Sequence, residues 1–208
     1  MEERFQTDLI SGTLHRPEQE SGDAILLAHG ASSNADAPLL VKLAQAFAGN
    51  GHLVLRYNLP FRLARSGPPN PAAAVRDREG VAGAIAAVAK LVRGGVIAGG
   101  VSYGGRQTSM VAAEHPGLAA GLLLLSYPLH PPGKPAQKRT DHFPGLRTPA
   151  LFVQGTADPF GTIEELREAM ALIPARTDLL PVEGARHDLK RAASLVSEIL
   201  TRLYAVVP

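Results

Sequence analysis

The chain has 208 residues, of which 45% are hydrophobic and 19% charged, and both values are ordinary for a globular domain with one sizeable core. The net charge is +2 and the basic residues are scattered, which excludes the basic arm or stripe of a nucleic-acid-binding protein. The absence of cysteine excludes disulfides, thiolate metal sites and a cysteine nucleophile. We therefore expect a single domain over residues 1–208.

The first residues, Met-Glu-Glu-Arg-Phe, lack the basic and apolar regions of a secretory signal. No apolar stretch approaches the ~18 residues that a membrane span needs. The longest one, residues 81–92, is rich in alanine and typical of a helix. We expect a cytoplasmic protein without membrane association, as a monomer or a homodimer.

Short apolar runs alternate with longer amphipathic stretches along the chain. Each run is nearly continuous in Val, Ile, Leu or Ala, which is typical of strands buried on both faces of a parallel sheet. One antiparallel edge strand is predicted between residues 5 and 14. The predicted buried strands cover residues 24–28, 53–55, 96–98, 122–125, 151–153 and 179–182.

Helix patterns fill the intervals between these runs. The first follows Pro38 and ends at Gly49, the usual asymmetry of helix start and stop signals. Two proline-rich stretches, residues 59–71 and 127–149, are predicted as loops. This alternation of strands and helices indicates an α/β fold with helices on both faces of the sheet. The predicted helices cover residues 39–47, 73–92, 107–114, 163–172 and 189–204.

Residues 100–104 read Gly-Val-Ser-Tyr-Gly and match the G-x-S-x-G pattern of a nucleophile elbow. Such an elbow holds a serine on a tight turn between a strand and a helix, and the flanking residues must be small because the turn brings them together. Here a predicted strand precedes Ser102 and a short helix begins near Gly104. This context favours a nucleophilic serine over the alternative, a glycine-rich turn with an incidental serine.

A serine hydroxyl needs a general base to act as a nucleophile at neutral pH. In folds with this elbow, an acid and then a histidine follow the serine along the chain. Asp158 follows the next-to-last predicted strand and His187 follows the last, so we assign Ser102, Asp158 and His187 as catalytic residues. The alternatives are a turn aspartate before a proline and a solvated turn histidine. Asp188 is a poorer acid, because adjacent side chains rarely face each other.

An acyl-transfer site also needs two hydrogen-bond donors for the developing oxyanion. We assign the backbone N–H of Tyr103, at the N-terminus of the helix, and that of Ala31, in the His-Gly-Ala loop after the first buried strand. We assign His29, Tyr127 and Leu129 to substrate binding. The position of His29 favours a structural hydrogen bond over the role of a base.

No phosphate-binding loop, dinucleotide-binding glycine pattern or H-E-x-x-H zinc helix occurs in the sequence. The seven histidines show no metal-ligand spacing. We therefore predict no cofactor and no metal. The predicted partner is a small-molecule ester, and neither nucleic acid nor membrane.

Five motifs distinguish this chain, of which the run Tyr-Pro-Leu-His-Pro-Pro-Gly-Lys-Pro at residues 127–135 is the most diagnostic. The others are His-Gly-Ala at 29–31, Arg-Tyr-Asn-Leu-Pro-Phe-Arg at 56–62, Gly-Gly-Val-Ser-Tyr-Gly-Gly-Arg at 99–106 and Gln-Gly-Thr-Ala-Asp-Pro-Phe at 154–160. Over nearly its whole length the chain resembles the α/β-hydrolase superfamily. Within it, the chain is similar to a small lidless, dienelactone-hydrolase-like branch named for a testis-expressed protein and an NSL-complex subunit.

The resemblance implies an α/β-hydrolase fold, with a mostly parallel central sheet of about seven strands flanked by helices and no large cap domain. It also implies a Ser-Asp-His triad, which falls on Ser102, Asp158 and His187. True dienelactone hydrolases use a cysteine nucleophile, so the lack of cysteine disfavours their substrate. Some relatives in the branch serve as subunits of complexes.

The loop over residues 127–148 is too short for a full cap, so we expect an open site that accepts small or short-chain esters. Apolar walls are expected from Tyr103 and residues 59–61. Five basic residues in the loops at 59–71 and 127–149 could attract an anionic group of the substrate. The favoured interpretation is that they form a solvated basic surface. The five residues are Arg62, Arg65, Lys134, Lys138 and Arg139.

The sequence thus predicts a carboxylesterase-like serine hydrolase that acts through an acyl-enzyme on Ser102. The alternative is a non-catalytic α/β-hydrolase module that binds a small ligand or a protein partner.

Overall fold

A computed structural model describes residues 1–64, 67–190 and 192–207. Within these ranges, eight strands form one sheet and six α-helices flank it. The strands are β1 (Glu2–Gln6), β2 (Ser11–His15), β3 (Ala24–Ala28), β4 (Leu53–Asn58), β5 (Val96–Val101), β6 (Gly121–Leu125), β7 (Ala150–Gly155) and β8 (Thr177–Val182). The helices are α1 (Pro38–Gly49), α2 (Pro60–Ala64), α3 (Ala73–Ala89), α4 (Tyr103–Glu114), α5 (Ile163–Met170) and α6 (Val196–Val206).

The strands follow the order β1-β2-β4-β3-β5-β6-β7-β8. β3 to β8 are parallel, whereas β2 pairs antiparallel with both β1 and β4. The chain leaves β3 for β4 on one side and later enters β5 on the other, which makes the carboxyl ends of β3 and β5 a topological switch point. Ala28 lies opposite Gly100 there. Ligand sites of open α/β sheets form at such points.

Helices cover both faces of the sheet, as the continuous apolar runs predict. In β3, Ala24, Leu26 and Ala28 belong to the core under α3, α4 and α5. The alternate residues Ile25 and Leu27 belong to the core under α1 and α6. Because a strand turns successive side chains to opposite faces, a strand buried on both sides has no polar alternation. The predicted α/β fold is confirmed.

The N-terminal part differs from the prediction of one edge strand between residues 5 and 14. The structure has a hairpin, β1 and β2, whose turn is closed by a hydrogen bond from the Thr7 N–H to the Ile10 carbonyl. The Thr7 hydroxyl also accepts hydrogen bonds from the Leu9 and Ile10 N–H groups. This extra strand gives the sheet eight strands instead of about seven.

Two predicted boundaries also change. The stretch at 59–71, predicted as a loop, contains α2, whose five residues are too few to show helical periodicity. The last predicted helix begins later, after a 3-10 turn at Ala192–Leu195, and ends at Val206. The loop over residues 127–149 stays short, with one 3-10 turn at Phe143–Gly145, and no cap domain is inserted there.

In the part of the chain that the structure describes, no helix combines the length and the apolar character needed to cross a bilayer.

Burial lowers the pKa of four histidines, and the pKa values of His29 and His142 fall to about 4. A histidine whose pKa is lowered by folding binds its proton mainly in the unfolded chain, so acid favours unfolding. We expect the free energy of unfolding in urea to fall as the pH is lowered from 7 towards 4. In His142→Gln the free energy of unfolding should depend less steeply on pH, because up to about one proton fewer is taken up on unfolding. Equal slopes in the two proteins would contradict this expectation.

Candidate active site

Ser102 is the single residue between β5 and α4. Its backbone has φ 52° and ψ −115°, a conformation that L-residues rarely adopt. Hydrogen bonds hold the turn on both sides: the Ser102 N–H donates to the Leu125 carbonyl, and the Arg106 N–H donates to the Ser102 carbonyl. Two residues after Ser102, a Cβ atom on Gly104 would come within 2.5 Å of the His29 carbonyl oxygen, so this position tolerates only glycine. This strand–turn–helix geometry presents Ser102 at the carboxyl end of β5.

Three predicted catalytic side chains form one hydrogen-bonded chain. The Ser102 Oγ lies 2.8 Å from His187 Nε2. His187 Nδ1 lies 2.8 Å from Asp158 Oδ2 and 3.0 Å from Oδ1. A carboxylate accepts the Nδ1–H proton, which leaves Nε2 free to accept from the serine hydroxyl. The Asp158 side chain is fully buried, and that of His187 is 24% exposed, so the imidazole is accessible from the surface.

Asp158 and His187 meet because the turns after β7 and β8 are hydrogen-bonded to each other. The Ala157 N–H donates to the Ala185 carbonyl, and the Gly184 N–H donates to the Thr156 hydroxyl at 2.9 Å. These contacts fix the distance between two loops that lie 29 residues apart in the chain. The acid and the base therefore keep their spacing independently of Ser102.

Two further residues hold this pair, and sequence analysis missed both. Gln154 Nε2 donates to Asp158 Oδ2 at 3.0 Å, and the Phe160 N–H donates to Oδ1 at 2.9 Å. The Phe160 ring stacks on the imidazole of His187 with a centroid distance of 4.1 Å. Both residues belong to the motif at 154–160, which was the available signal.

The loop after β3, which carries Ala31, passes close to Ser102. A Cβ atom on Gly30 would lie only 3.7 Å from the Ser102 Cβ. The Gly30 carbonyl accepts from the Ser33 N–H and from His29 Nδ1, the latter at 2.8 Å. Because a trans peptide points its N–H opposite to its C=O, these bonds fix the direction of the Ala31 N–H. Within the described residues, this N–H has no acceptor.

His29 is a neutral, buried residue that positions this peptide. Its Nε2 accepts from the Leu59 N–H at 3.1 Å, so the ring proton is on Nδ1 and is donated to the Gly30 carbonyl. Burial lowers the pKa of His29 to about 4, which keeps the ring uncharged near neutral pH. This is the structural hydrogen-bonding role that its sequence position favours.

Tyr103 offers the second predicted donor, since the first N–H of a helix has no acceptor within that helix. Its hydroxyl donates to Asp77 Oδ2 at 2.7 Å, and Asp77 Oδ1 accepts from the Phe61 N–H. Burial raises the pKa of Asp77 and that of Tyr103. Asp77 therefore anchors Tyr103, the residue that follows Ser102. Sequence analysis missed Asp77. The available signal was its position four residues before Val81, which puts the carboxylate on the helix face that packs on the core.

A cleft of about 1210 Å³ opens beside Ser102 and His187, and Ala31 and Tyr103 line it too. Its walls come from the loop after β3, the start of α1, the residues before α3, the first turns of α4, and Pro128. The volume exceeds the ~300–1,000 Å³ of typical ligand pockets, because no cap domain divides it. A cleft without a cap agrees with the expectation of an open site, which was based on the short loop over residues 127–148.

Three residues predicted to bind substrate lie beneath the cleft wall instead of in it. His29, Tyr127 and Leu129 are at most 1% exposed, and none of them lines the cleft. The Tyr127 hydroxyl donates to the Arg139 carbonyl, and its ring packs on Phe143. These side chains are apolar or internally hydrogen-bonded, so they fill the core and support the wall. The expected walls at residues 59–61 are buried in the same way.

The other candidates have separate surroundings. Asp188 lines the cleft but pairs with Lys190 at 3.3 Å instead of with His187. No group of three or more His, Asp or Glu side chains in the described ranges is close enough to hold a metal ion.

Comparison with known proteins gives the family. The family model described as an alpha/beta hydrolase domain matches residues 21–202. The chain belongs to the alpha/beta hydrolase family. The match contains the elbow, both turns that hold Asp158 and His187, and the loop after β3. The eight-stranded sheet without a large cap agrees with this membership.

Several solved structures share the fold of this chain at low sequence identity. An alpha-beta serine hydrolase homologue from Coxiella burnetii aligns with a TM-score of 0.78 at 18% identity, covering 98% of this chain and 97% of that one. Est1E from Butyrivibrio proteoclasticus gives 0.76 at 14% identity, with 98% and 99% covered. A dienelactone hydrolase from Anabaena variabilis gives 0.74 at 18% identity, with 98% and 97% covered. The similarity therefore extends over the whole fold.

Proposed function

We propose that this alpha/beta hydrolase is a serine esterase that cleaves small or short-chain carboxylic esters through an acyl-enzyme on Ser102. The observation that carries the proposal is the continuous chain from Ser102 Oγ through His187 to Asp158, with contacts of 2.8 Å at both links. A hydroxyl bonded to a neutral imidazole nitrogen can lose its proton as it attacks, and a buried carboxylate stabilises the imidazolium that results.

The proposed reaction has two halves. Ser102 Oγ attacks the ester carbonyl carbon and passes its proton to His187 Nε2. The carbonyl oxygen becomes an oxyanion, which accepts from the N–H groups of Ala31 and Tyr103. The bond to the alcohol oxygen then breaks, and the departing alcohol takes the proton from His187. Water repeats these steps on the acyl-enzyme, which releases the carboxylic acid and restores the Ser102 hydroxyl.

Two observations support this reaction class beyond the triad geometry. The strained backbone at Ser102 is maintained by hydrogen bonds to Leu125 and Arg106, and such strain is concentrated at functional sites. Two of the structural neighbours are named a serine hydrolase homologue and a dienelactone hydrolase. The short loop after β6 supports the restriction to small acyl groups, because no cap encloses a long chain.

Labelling with a fluorophosphonate, followed by mass spectrometry, tests the proposal. We expect one adduct on Ser102 of the folded protein, because the probe reacts with serines activated by a base. The adduct should be absent from Ser102→Ala and present in Ser197→Ala, which removes an exposed hydroxyl on α6. The labelled protein should also have lost its hydrolysis of 4-nitrophenyl butyrate.

Two results would argue against the proposal. A folded wild-type protein without any adduct would favour the alternative, a module that only binds ligands. A kcat/KM for 4-nitrophenyl palmitate above that for the butyrate would overturn the restriction to short acyl chains.

A further inference from the structure

The cleft concentrates positive charge on a protein that is nearly neutral. Among the described residues, five Lys and Arg side chains line it, against one Asp or Glu side chain. The acid is Asp188, which is paired with Lys190 on the exposed rim. This excess of positive charge favours an anionic ligand in the cleft.

Three of these cations have no carboxylate partner among the described residues: Lys42, which is exposed, and Arg106 and Arg139, which are partly buried. Arg78 instead pairs with Glu114 at 3.2 Å. The Arg106 Nε is buried and has no hydrogen-bond partner in the same part of the chain. A buried N–H group without such a partner is costly.

The two guanidinium groups act on each other. Burial lowers the pKa of Arg139, and the charge of Arg106 lowers it further. Asp141 acts on His142 but forms no ion pair with either arginine in the described ranges. Two like charges at a cleft wall are stabilised when a ligand brings an anion between them.

Both arginines are held by the elements that form the site. The Arg106 N–H donates to the Ser102 carbonyl, so its side chain projects from α4 one turn after the nucleophile. Arg139 Nη1 donates to the Pro128 carbonyl at 3.2 Å, and the Arg139 carbonyl accepts from the Tyr127 hydroxyl. Tyr127 thus contributes to the site through its hydrogen bond to the Arg139 backbone.

We infer that Arg106 and Arg139 bind an oxyanion group, a carboxylate or a phosphate, on the substrate whose ester bond meets Ser102. The inference rests on the proposed function and narrows its substrate class to anionic esters. Planar guanidinium groups suit this ligand, because each can donate two parallel N–H bonds to the oxygens of one group.

This pair differs from the five basic loop residues identified in the sequence. Of the members of that set that the structure describes, only Arg139 lines the cleft. The Arg62 Nη2 donates to the Ala31 carbonyl, and Lys138 pairs with Glu168 at 3.7 Å. Lys134 is exposed to solvent. Arg65 lies outside the described residues.

Three 4-nitrophenyl esters with acyl groups of one length test the inference: the monoester of glutarate, the 4-phosphonobutanoate and the neutral 5-methylhexanoate. We expect kcat/KM to be at least about tenfold higher for one anionic ester than for the neutral one, and the preferred anion assigns carboxylate or phosphate. Arg106→Gln and Arg139→Gln should each lower kcat/KM for that ester by about 10- to 100-fold, with a far smaller effect on the neutral ester. Arg147→Gln, which removes an exposed charge outside the cleft, should change neither.

Binding to Ser102→Ala, measured by calorimetry, separates this inference from the proposed reaction because it needs no turnover. Tighter binding of the anionic ester, lost in Ser102→Ala/Arg106→Gln, supports the arginine site even if no fluorophosphonate adduct forms. Arg106→Lys keeps the charge and should retain part of the preference for the anionic ester. This variant tests the inference even if the glutamine variant folds poorly. Equal Kd and equal kcat/KM for all three esters would overturn the inference, while an adduct on Ser102 would leave the esterase proposal standing.

Discussion

Replacing Asp158 by asparagine should lower kcat by about 10⁴-fold while the protein stays folded. The carboxylate holds His187 with its proton on Nδ1, and this leaves Nε2 able to accept from Ser102. An asparagine amide can donate to Nδ1, which moves the imidazole proton to Nε2. The base is then blocked towards Ser102, and the negative charge that stabilises the imidazolium is lost.

The fold can accommodate this change because Gln154 is adaptable. Its Nε2 donates to the Asp158 carboxylate, and its Oε1 is buried without a hydrogen-bond partner in the described residues. If the Gln154 amide rotates, its Oε1 accepts from the asparagine Nδ2. The Phe160 N–H keeps its acceptor, since Oδ1 is retained. We therefore expect a melting temperature close to that of the wild type.

Asp188→Asn is the matched control, because it removes an equal charge from the neighbouring acid of the cleft. Asp188 pairs with the exposed Lys190 and does not contact the imidazole, so its loss should change kcat less than about twofold. Steady-state kinetics on 4-nitrophenyl butyrate and circular dichroism of both variants make the measurement. A large loss of kcat in Asp188→Asn with little loss in Asp158→Asn would show that Asp188, and not Asp158, is the acid of the triad.

The backbone path to this site can be predicted from the sequence because each part is encoded locally. A buried parallel strand is a continuous apolar run, and the glycines of the elbow surround a serine within five residues. The acid and the histidine follow the ends of two other strands. Parallel strands end at one edge of the sheet, so order along the chain is enough to propose that Ser102, Asp158 and His187 meet.

The supporting residues depend on contacts between distant segments. Asp77 reaches Tyr103 across 26 residues, and no local pattern specifies that pairing. Tyr127 lies in the proline-rich loop after β6 and was assigned to substrate binding as part of an apolar wall. In the structure its ring packs between Phe143 and Phe152, since the apolar residues of that loop cover the end of the core. Loop composition predicts the path of the backbone but not the direction of its side chains.

His29→Gln should lower kcat by about 10²- to 10³-fold, an effect comparable to the removal of one oxyanion donor. In the wild type, His29 Nδ1–H holds the Gly30 carbonyl, and the opposite side of that peptide presents the Ala31 N–H. A glutamine carries its polar atoms at the distance of Nε2 from the backbone. It can keep the hydrogen bond from Leu59, but it no longer donates to Gly30.

His29→Asn makes the complementary change. Its amide nitrogen lies at the distance of Nδ1, so it can donate to the Gly30 carbonyl while the Leu59 N–H loses its acceptor. We expect this variant to be the less stable of the two in urea, because it leaves a cavity and a buried N–H without a partner. We nevertheless expect it to retain the higher kcat.

The opposite ranking of activity and stability distinguishes positioning of the oxyanion donor from general support of the core. If His29 only filled space, kcat would follow stability, and the glutamine variant would be the more active. If it holds the Ala31 N–H, the asparagine variant keeps the faster acylation at a temperature where both proteins are folded. The rate of fluorophosphonate labelling at Ser102 should follow kcat, because the tetrahedral phosphoryl oxygen needs the same donors. Equal labelling rates in both variants and the wild type would remove His29 from the positioning of the oxyanion site.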